Sequence, residues 1–183
     1  SEETYQKLFK IKADIELNHN IKLDIISGGN SSSIPMLSNG QLPNFINNLR
    51  IGEALILGRE TAYQKHIDSV YADVITLQVE IIEIIDKPSY PEGELGFDAF
   101  GKKIKYVDKG TIKRAILAIG KQDVDFEDLI KLKGISFIGS SSDHLIIEIT
   151  DLTHKVGDIL TFRLKYGGIL SLLNSAYVEK EYV

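Results

Sequence analysis

Apolar positions recur at helical spacing at the start of the chain and shift to strand-like runs further on. Leu8, Ile11, Ile15 and Leu17 lie roughly a turn apart among Lys, Glu and Asp, which predicts an amphipathic helix over residues 3–17. The run "IKLDII" at 21–26 is β-branched, compact and bounded by glycine, so it predicts a short buried strand. The stretch "SGGNSSSIPML" follows, a loop of small hydrogen-bonding residues leading into a second helix. After the polar turn region "SNGQLPNF", the run "NNLRIGEALILG" at 47–58 predicts another buried strand entering a second glycine-containing loop. This order is α/β.

From Val70 the pattern becomes all-β. "ADVITLQVEIIEII", "KRAILAIG", "GISFIG", "DHLIIEIT" and "GDILTFRL" are β-branched runs separated by turn residues. The boundary is expected between residues 64 and 70, giving an α/β segment over 1–66 and a β domain over 67–183. The alternating "VEIIEII" and the leucines of "GGILSLLNSAYV" are expected core positions. About two strand–helix steps are too few to close a parallel sheet with covered faces. The first segment is therefore expected to dock onto something else or to continue a larger protein.

Composition narrows the function. With 183 residues, 43% apolar, the chain can form one good core or two modest ones. A net charge of −5 with scattered Lys and Arg argues against a nucleic-acid partner and for small molecules or proteins. The absence of cysteine removes disulfides, thiolate nucleophiles and cysteine metal sites, and suits a reducing cytoplasm. The four histidines, His19, His66, His144 and His154, lack ligand spacing, so no metal is expected. No apolar run reaches the ~20 residues of a bilayer span. The first residues lack a signal-peptide pattern, and a cytoplasmic protein is expected.

The two small-residue loops are the candidate chemistry. A glycine pair lets backbone N–H groups approach a ligand, serines add donors, and a helix start favours an anion. Such residues also make ordinary turns and N-caps. The second loop brings Arg50 and Gly52 to the next strand end, and neighbouring strand ends of a (β/α) barrel build one site. Two such loops could share one phosphate, with an arginine to balance charge or bond a ring nitrogen.

These residues carry a resemblance. Asn30-Ser31 in "SGGNSSS", Arg50-Ile51-Gly52-Glu53, "AILAIGKQDVD" at 115–125, "IGSSSDHLIIEITD" at 138–151 and "KVGDIL" at 155–160 follow the order seen in the alanine racemase family of pyridoxal-phosphate enzymes. With "INNLRIGEALILGRETAY" and "AFGKK", the pattern resembles the alanine/ornithine racemase branch. It matches the C-terminal half of such an enzyme. The implied architecture is the C-terminal part of a PLP-binding (β/α)8 barrel followed by an alanine-racemase-like β domain. The lysine that anchors the cofactor lies on the first barrel strand in this family, in sequence this chain does not contain. The resemblance therefore implies that the chain needs an N-terminal barrel half and is inactive without it. It further implies an amino-acid substrate, ornithine or alanine, and a homodimer in which one subunit's β domain completes its partner's site.

The resemblance also distributes roles. Asn30, Ser31 and Ser32 would bind the cofactor phosphate, joined by backbone N–H groups of Gly52 and Glu53, and Arg50 would face the pyridine nitrogen. Racemisation needs proton-handling groups on both faces of the α-carbon. In alanine racemases one of these is a tyrosine in a Gly-Tyr-x-Asp-Gly segment; here the aligned residues read Gly120-Lys121-Gln122-Asp123-Val124. Lys121 would then be the opposite-face base, a ligand for the substrate carboxylate, or a solvated turn lysine. Tyr166 and Tyr177 are alternative bases by residue type alone. Asp123 and Asp143 are expected to cap turns. A competing reading, from the missing lysine strand, is a non-catalytic β module for interaction or regulation with a vestigial barrel segment.

Overall fold

The computed structural model describes residues 2–68, 70–90, 107–150 and 153–183. They form two compact units, Ser1–Val74 and Ile75–Val183. The first extends past residue 66 because Ile67 N–H donates to Gly58 O at 2.9 Å, and the Tyr71–Ala72 backbone lies against Gly58. The "AFGKK" stretch lies outside the described residues.

The first unit opens with helix α1 (Glu2–His19), whose early glutamates suit the positive end of the helix dipole. Its buried residue is Tyr5, packed with Ile26 and Ile46 and bordered by Leu8, Leu23, Met36 and Phe45. Leu8 and Ile15 lean inward as expected, but Ile11 and Leu17 are 54% and 82% exposed. The inward stripe thus runs through Tyr5, Leu8, Lys12 and Ile15, one helical face.

The expected strand at 21–26 is not one. The strand is β1 (Ser27–Asn30), formed by the glycine loop itself, and it pairs in parallel with β2 (Asn48–Arg50). Residues 21–26 are tied down by side chains instead: Leu23 N–H donates to Glu16 Oε1 at 2.9 Å and Ile26 N–H to Asn47 Oδ1 at 2.8 Å. Close packing explains why glycines form the strand. A Cβ on Gly28 would overlap Ile46, and one on Gly29 would overlap Ser33. The glycine pair therefore meets protein side chains, not an approaching ligand. Short helix α2 (Ile34–Ser38) follows β1 and α3 (Glu53–Leu57) follows β2.

The second unit is a five-stranded antiparallel sheet in the order β5-β6-β4-β3-β7. Its strands are β3 (Thr76–Pro88), β4 (Thr111–Leu117), β5 (Ile135–Ser140), β6 (Leu145–Ile149) and β7 (Ile159–Arg163). Each overlaps one of the sequence-predicted runs, β6 and β7 lying wholly inside theirs, while β3 runs on to Pro88, β4 begins at Thr111 and β5 ends at Ser140. The long β3 serves two partners: Thr76–Glu80 pair with β7 and residues from Ile81 onward with β4. A register shift between Ile81 and Glu83 lies at the start of the half paired with β4, where a bulge bends a strand. Val79 and Ile81 are buried, whereas Ile82 and Ile85, expected in the core, are 39% and 40% exposed. The bulge ends the simple alternation that the expectation assumed.

The core of this unit centres on Phe162, Ile81, Leu117, Leu145, Ile147 and Ile169, with Phe137 tilted against Phe162 at 6.1 Å. Helix α4 (Tyr166–Asn174) covers part of it. Ile169 and Leu172 are buried, but Leu170 and Leu173, also expected in the core, face outward because a helix buries one stripe.

Candidate functional site

Parallel pairing of β1 and β2 brings the two loops together. Asn30 lies in register with Arg50 at the C-terminal ends of the strands. Ser31–Ser33 then form a 3-10 turn capped by Asn30, whose Oδ1 accepts from Ser32 N–H at 2.9 Å and from the Ser32 hydroxyl at 2.8 Å. Ser31 is buried, and its Oγ accepts from Ala54 N–H at 3.3 Å. One residue of the first loop therefore holds the first turn of the helix after the second.

These bonds determine which donors remain for an anion. Asn30 has engaged its oxygen and keeps its amide N–H groups for donation. Ser31 has accepted a bond and keeps its hydroxyl hydrogen. The Ser32 hydroxyl is directed to Asn30, so it is the least available of the three. Gly52 caps α3, and an added Cβ there would meet only open space. Glu53 N–H precedes the first intrahelical bond, from Leu55 N–H to Gly52 O, and has no acceptor within the helix. Arg50 is exposed beside them. The donor set fits a phosphate: several N–H and O–H donors at one strand end, beside a fixed positive charge.

Glu60 anchors the chain just beyond α3 and had no motif to mark it. It is 5% exposed, and its carboxylate accepts from Ala62 N–H at 2.7 Å, from Tyr63 N–H at 2.9 and 3.0 Å, and from Lys65 N–H at 2.9 Å. Burial pushes its carboxyl up, but the N–H donors of Lys65, Tyr63 and Ala62, with the Lys65 charge, outweigh that and hold it below the usual range.

Lys121 belongs to the second unit, in a turn between β4 and β5. Its N–H donates to Ser141 O at 2.9 Å and Gln122 N–H to Ser142 O at 3.0 Å. Gly120 packs against this loop so closely that a Cβ would overlap Ser142 O. Lys121 is half-buried. Asp123 is 5% exposed, and Ser175 Oγ–H donates to its Oδ1 at 2.6 Å. Asp143 accepts from Ser142 Oγ–H at 2.9 Å and Asp125 caps a 3-10 turn through Glu127 N–H, as turn aspartates do. Gln122, Asp123, Asp143 and Tyr177 border an open cavity of about 380 Å³. Tyr166 and Tyr177 are 38% and 80% exposed. Among the described residues, no group of three His, Asp or Glu could hold a metal ion, and no helix is long and apolar enough to cross a membrane.

Two parallel strands, each followed by a short helix, and then in the chain a five-stranded antiparallel sheet, make a β/α segment followed by a β domain. No family model matches the chain. It is similar to the ornithine racemase of Acetoanaerobium sticklandii, 49% identical over 178 residues, covering 96% of this chain and 50% of that protein. It is also similar to the lysine racemase of Thermotoga maritima, 42% identical over 182 residues, covering 98% of this chain and 51% of that protein. In fold it resembles an alanine racemase of Clostridium difficile 630 solved in complex with cycloserine. That match has a TM-score of 0.56 at 22% identity and covers 93% of this chain and 47% of that one. The chain belongs to the alanine racemase family and corresponds to the C-terminal part of such a protein. It spans about half the length of the curated relatives it matches.

Proposed function

We propose that this chain is the phosphate-binding and opposite-face portion of a pyridoxal 5′-phosphate-dependent racemase acting on a diamino acid, ornithine or lysine. The observation that carries the reading is the stitched pair of loops, with Asn30 in register with Arg50 and Ser31 bonded to the Ala54 N–H. The substrate class comes from the ornithine and lysine racemases that the chain resembles over nearly all its length. The cofactor would be held at its phosphate by the Asn30 amide, the Ser31 hydroxyl and the N–H groups of Gly52 and Glu53, with Ser32 in a supporting place.

When bound, pyridoxal phosphate supplies the electron-withdrawing ring that makes the α-hydrogen of an amino acid removable as a proton. Arg50 would hold the pyridine nitrogen by donating a hydrogen bond while keeping its own proton, since a guanidinium does not ionise near neutrality. Lys121 would act from the β unit. As a free amine, its Nζ takes the α-proton on one face; as an ammonium, it returns a proton on that face when the reaction runs in reverse. The group for the other face, and the lysine that anchors the cofactor, come from the N-terminal half. The assembly is a homodimer in the cytoplasm, with the β unit of one subunit completing its partner's site.

The test joins this chain to the N-terminal half of the length its relatives span. The product is incubated with pyridoxal phosphate and L-ornithine or L-lysine in deuterated water, and the stereochemistry at the α-carbon is followed by chiral chromatography. Formation of the D isomer with deuterium at the α-carbon is expected. A protein that binds the cofactor and yields no D isomer of either amino acid would remove the racemase reading. One that binds no cofactor would favour a non-catalytic module.

A further inference from the structure

The turn carrying Lys121 is fixed from two sides. On one side, the N–H groups of Lys121 and Gln122 donate to the carbonyls of Ser141 and Ser142, and Gly120 sits against Ser142 with no room for a side chain. On the other, Asp123 and Val124 N–H close on Gly120 O at 3.0 and 3.2 Å, and the Asp123 carboxylate reaches out to Ser175, 52 positions further along the chain. Ser175 terminates α4, its N–H donating to Ser171 O and Leu172 O. Its Oγ also accepts from Tyr177 N–H at 3.1 Å, and the Lys180 ammonium donates to its carbonyl.

The geometry points to Asp123 and Ser175 as a positioning pair that sets the place of Lys121 for proton transfer. This inference rests on the assignment of Lys121 made above. Proton transfer requires the reacting atoms at about 3 Å, and a misplacement of about 1 Å costs on the order of a hundredfold in rate. A lysine stem is long and flexible, so the fixed point must be its backbone. The Asp123–Ser175 bond provides that point, because α4 is anchored in the core through Ile169 and Leu172. A turn that carried only a solvated lysine would need no buried carboxylate clasped to a helix end. Asp123 borders the open cavity beside Gln122 and Tyr177, so the pair acts at the edge of accessible space and not in a sealed interior.

The experiment uses the complete racemase and the diamino acid it turns over, with kcat, KM and the α-deuterium isotope effect measured in both directions. Ser175→Ala is expected to lower kcat by about ten- to hundredfold with KM changed less than about twofold. It is also expected to raise the isotope effect in one direction only, the direction in which Lys121→Gln raises it. Ser175→Thr, which keeps the hydroxyl, is expected to restore both. A Ser175→Ala enzyme with lower kcat and unchanged isotope effects has merely fewer folded molecules, and overturns the positioning role. So does a Ser175→Ala enzyme indistinguishable from the parent when Lys121→Gln is impaired. If Lys121→Gln itself leaves rates and isotope effects as in the parent, the assignment of Lys121 fails and the positioning role fails with it.

Discussion

The Ser31 hydroxyl oxygen accepts the backbone N–H of Ala54 at 3.3 Å, joining two loops 23 positions apart in the chain. Parallel strand pairing brings the loop bases together, but pairing stops at Arg50. Beyond it, this bond sets where the start of α3 lies relative to Asn30.

Replacing Ser31 and Ser32 separates the structural serine from its exposed neighbour. Ser31→Ala leaves the Ala54 N–H without its acceptor in a buried position, a loss of about 1–3 kcal/mol. In the proposed cofactor site it also removes a phosphate donor. Urea unfolding and pyridoxal-phosphate titration by absorbance should both register the change. Ser32→Ala removes an exposed hydroxyl already turned to Asn30, so its stability effect should stay within about 0.5 kcal/mol. Equal effects from the two variants would mean that the stitched geometry does not organise the site.

Glu60 makes the loop unit sensitive to acid. Its folded-state pKa lies below the ordinary 4.5, so the ionised form favours the folded state. The stabilisation is complete above the ordinary value and is lost as pH falls through the lower folded value. Glu60→Gln keeps the shape but lacks the charge that faces the three N–H groups of Ala62, Tyr63 and Lys65. The parent should therefore unfold at a higher temperature than Glu60→Gln near neutrality, with the gap narrowing as pH falls below 4.5. A gap independent of pH would show that the carboxylate charge does not hold this turn.

Gly120 and Gly139 give a matched pair in the β unit. A Cβ at 120 would overlap the Ser142 carbonyl, which belongs to the backbone and cannot rotate away. Gly120→Ala should destabilise the protein by about 1–3 kcal/mol, read from denaturant midpoints, and should displace Lys121. A Cβ at 139 meets open space, so Gly139→Ala should change stability by less than about 0.5 kcal/mol. A tolerated Gly120→Ala would mean that the 120–124 turn is looser than its hydrogen bonds indicate.

The β unit was legible in the sequence because its strands are β-branched runs separated by turn residues, and in β6 the two-residue period of Leu145, Ile147 and Ile149 also marks the buried face. Strand β1 was not, because "SGGN" has turn composition, and only the packing of Ile46 and Ser33 against it makes glycine suitable for a strand. Asn30, Ser31, Arg50 and Gly52 were singled out from local chemistry and motif order, and strand pairing sets Asn30 in register with Arg50. The partners that organise the site were not: Ala54 for Ser31 and Ser175 for Asp123 meet only through tertiary folding. Glu60 looked like any turn glutamate, since three converging backbone N–H groups leave no side-chain pattern.

Arg50 tests the chemistry with little structural confusion, because its side chain is exposed. Arg50→Lys preserves the charge but replaces a planar fork with a point charge on a flexible stem. Unfolding midpoints should move by less than about 0.5 kcal/mol. A charge-assisted hydrogen bond contributes about 1.5–3 kcal/mol, so losing it in the transition state corresponds to roughly a tenfold to hundredfold lower kcat. Arg50→Ala should lose at least as much. Phosphate affinity should change less than kcat, because the donors at Asn30, Ser31, Gly52 and Glu53 remain. If Arg50→Lys instead weakened cofactor binding strongly and left kcat intact, the guanidinium would belong to the phosphate cradle and not to the ring nitrogen.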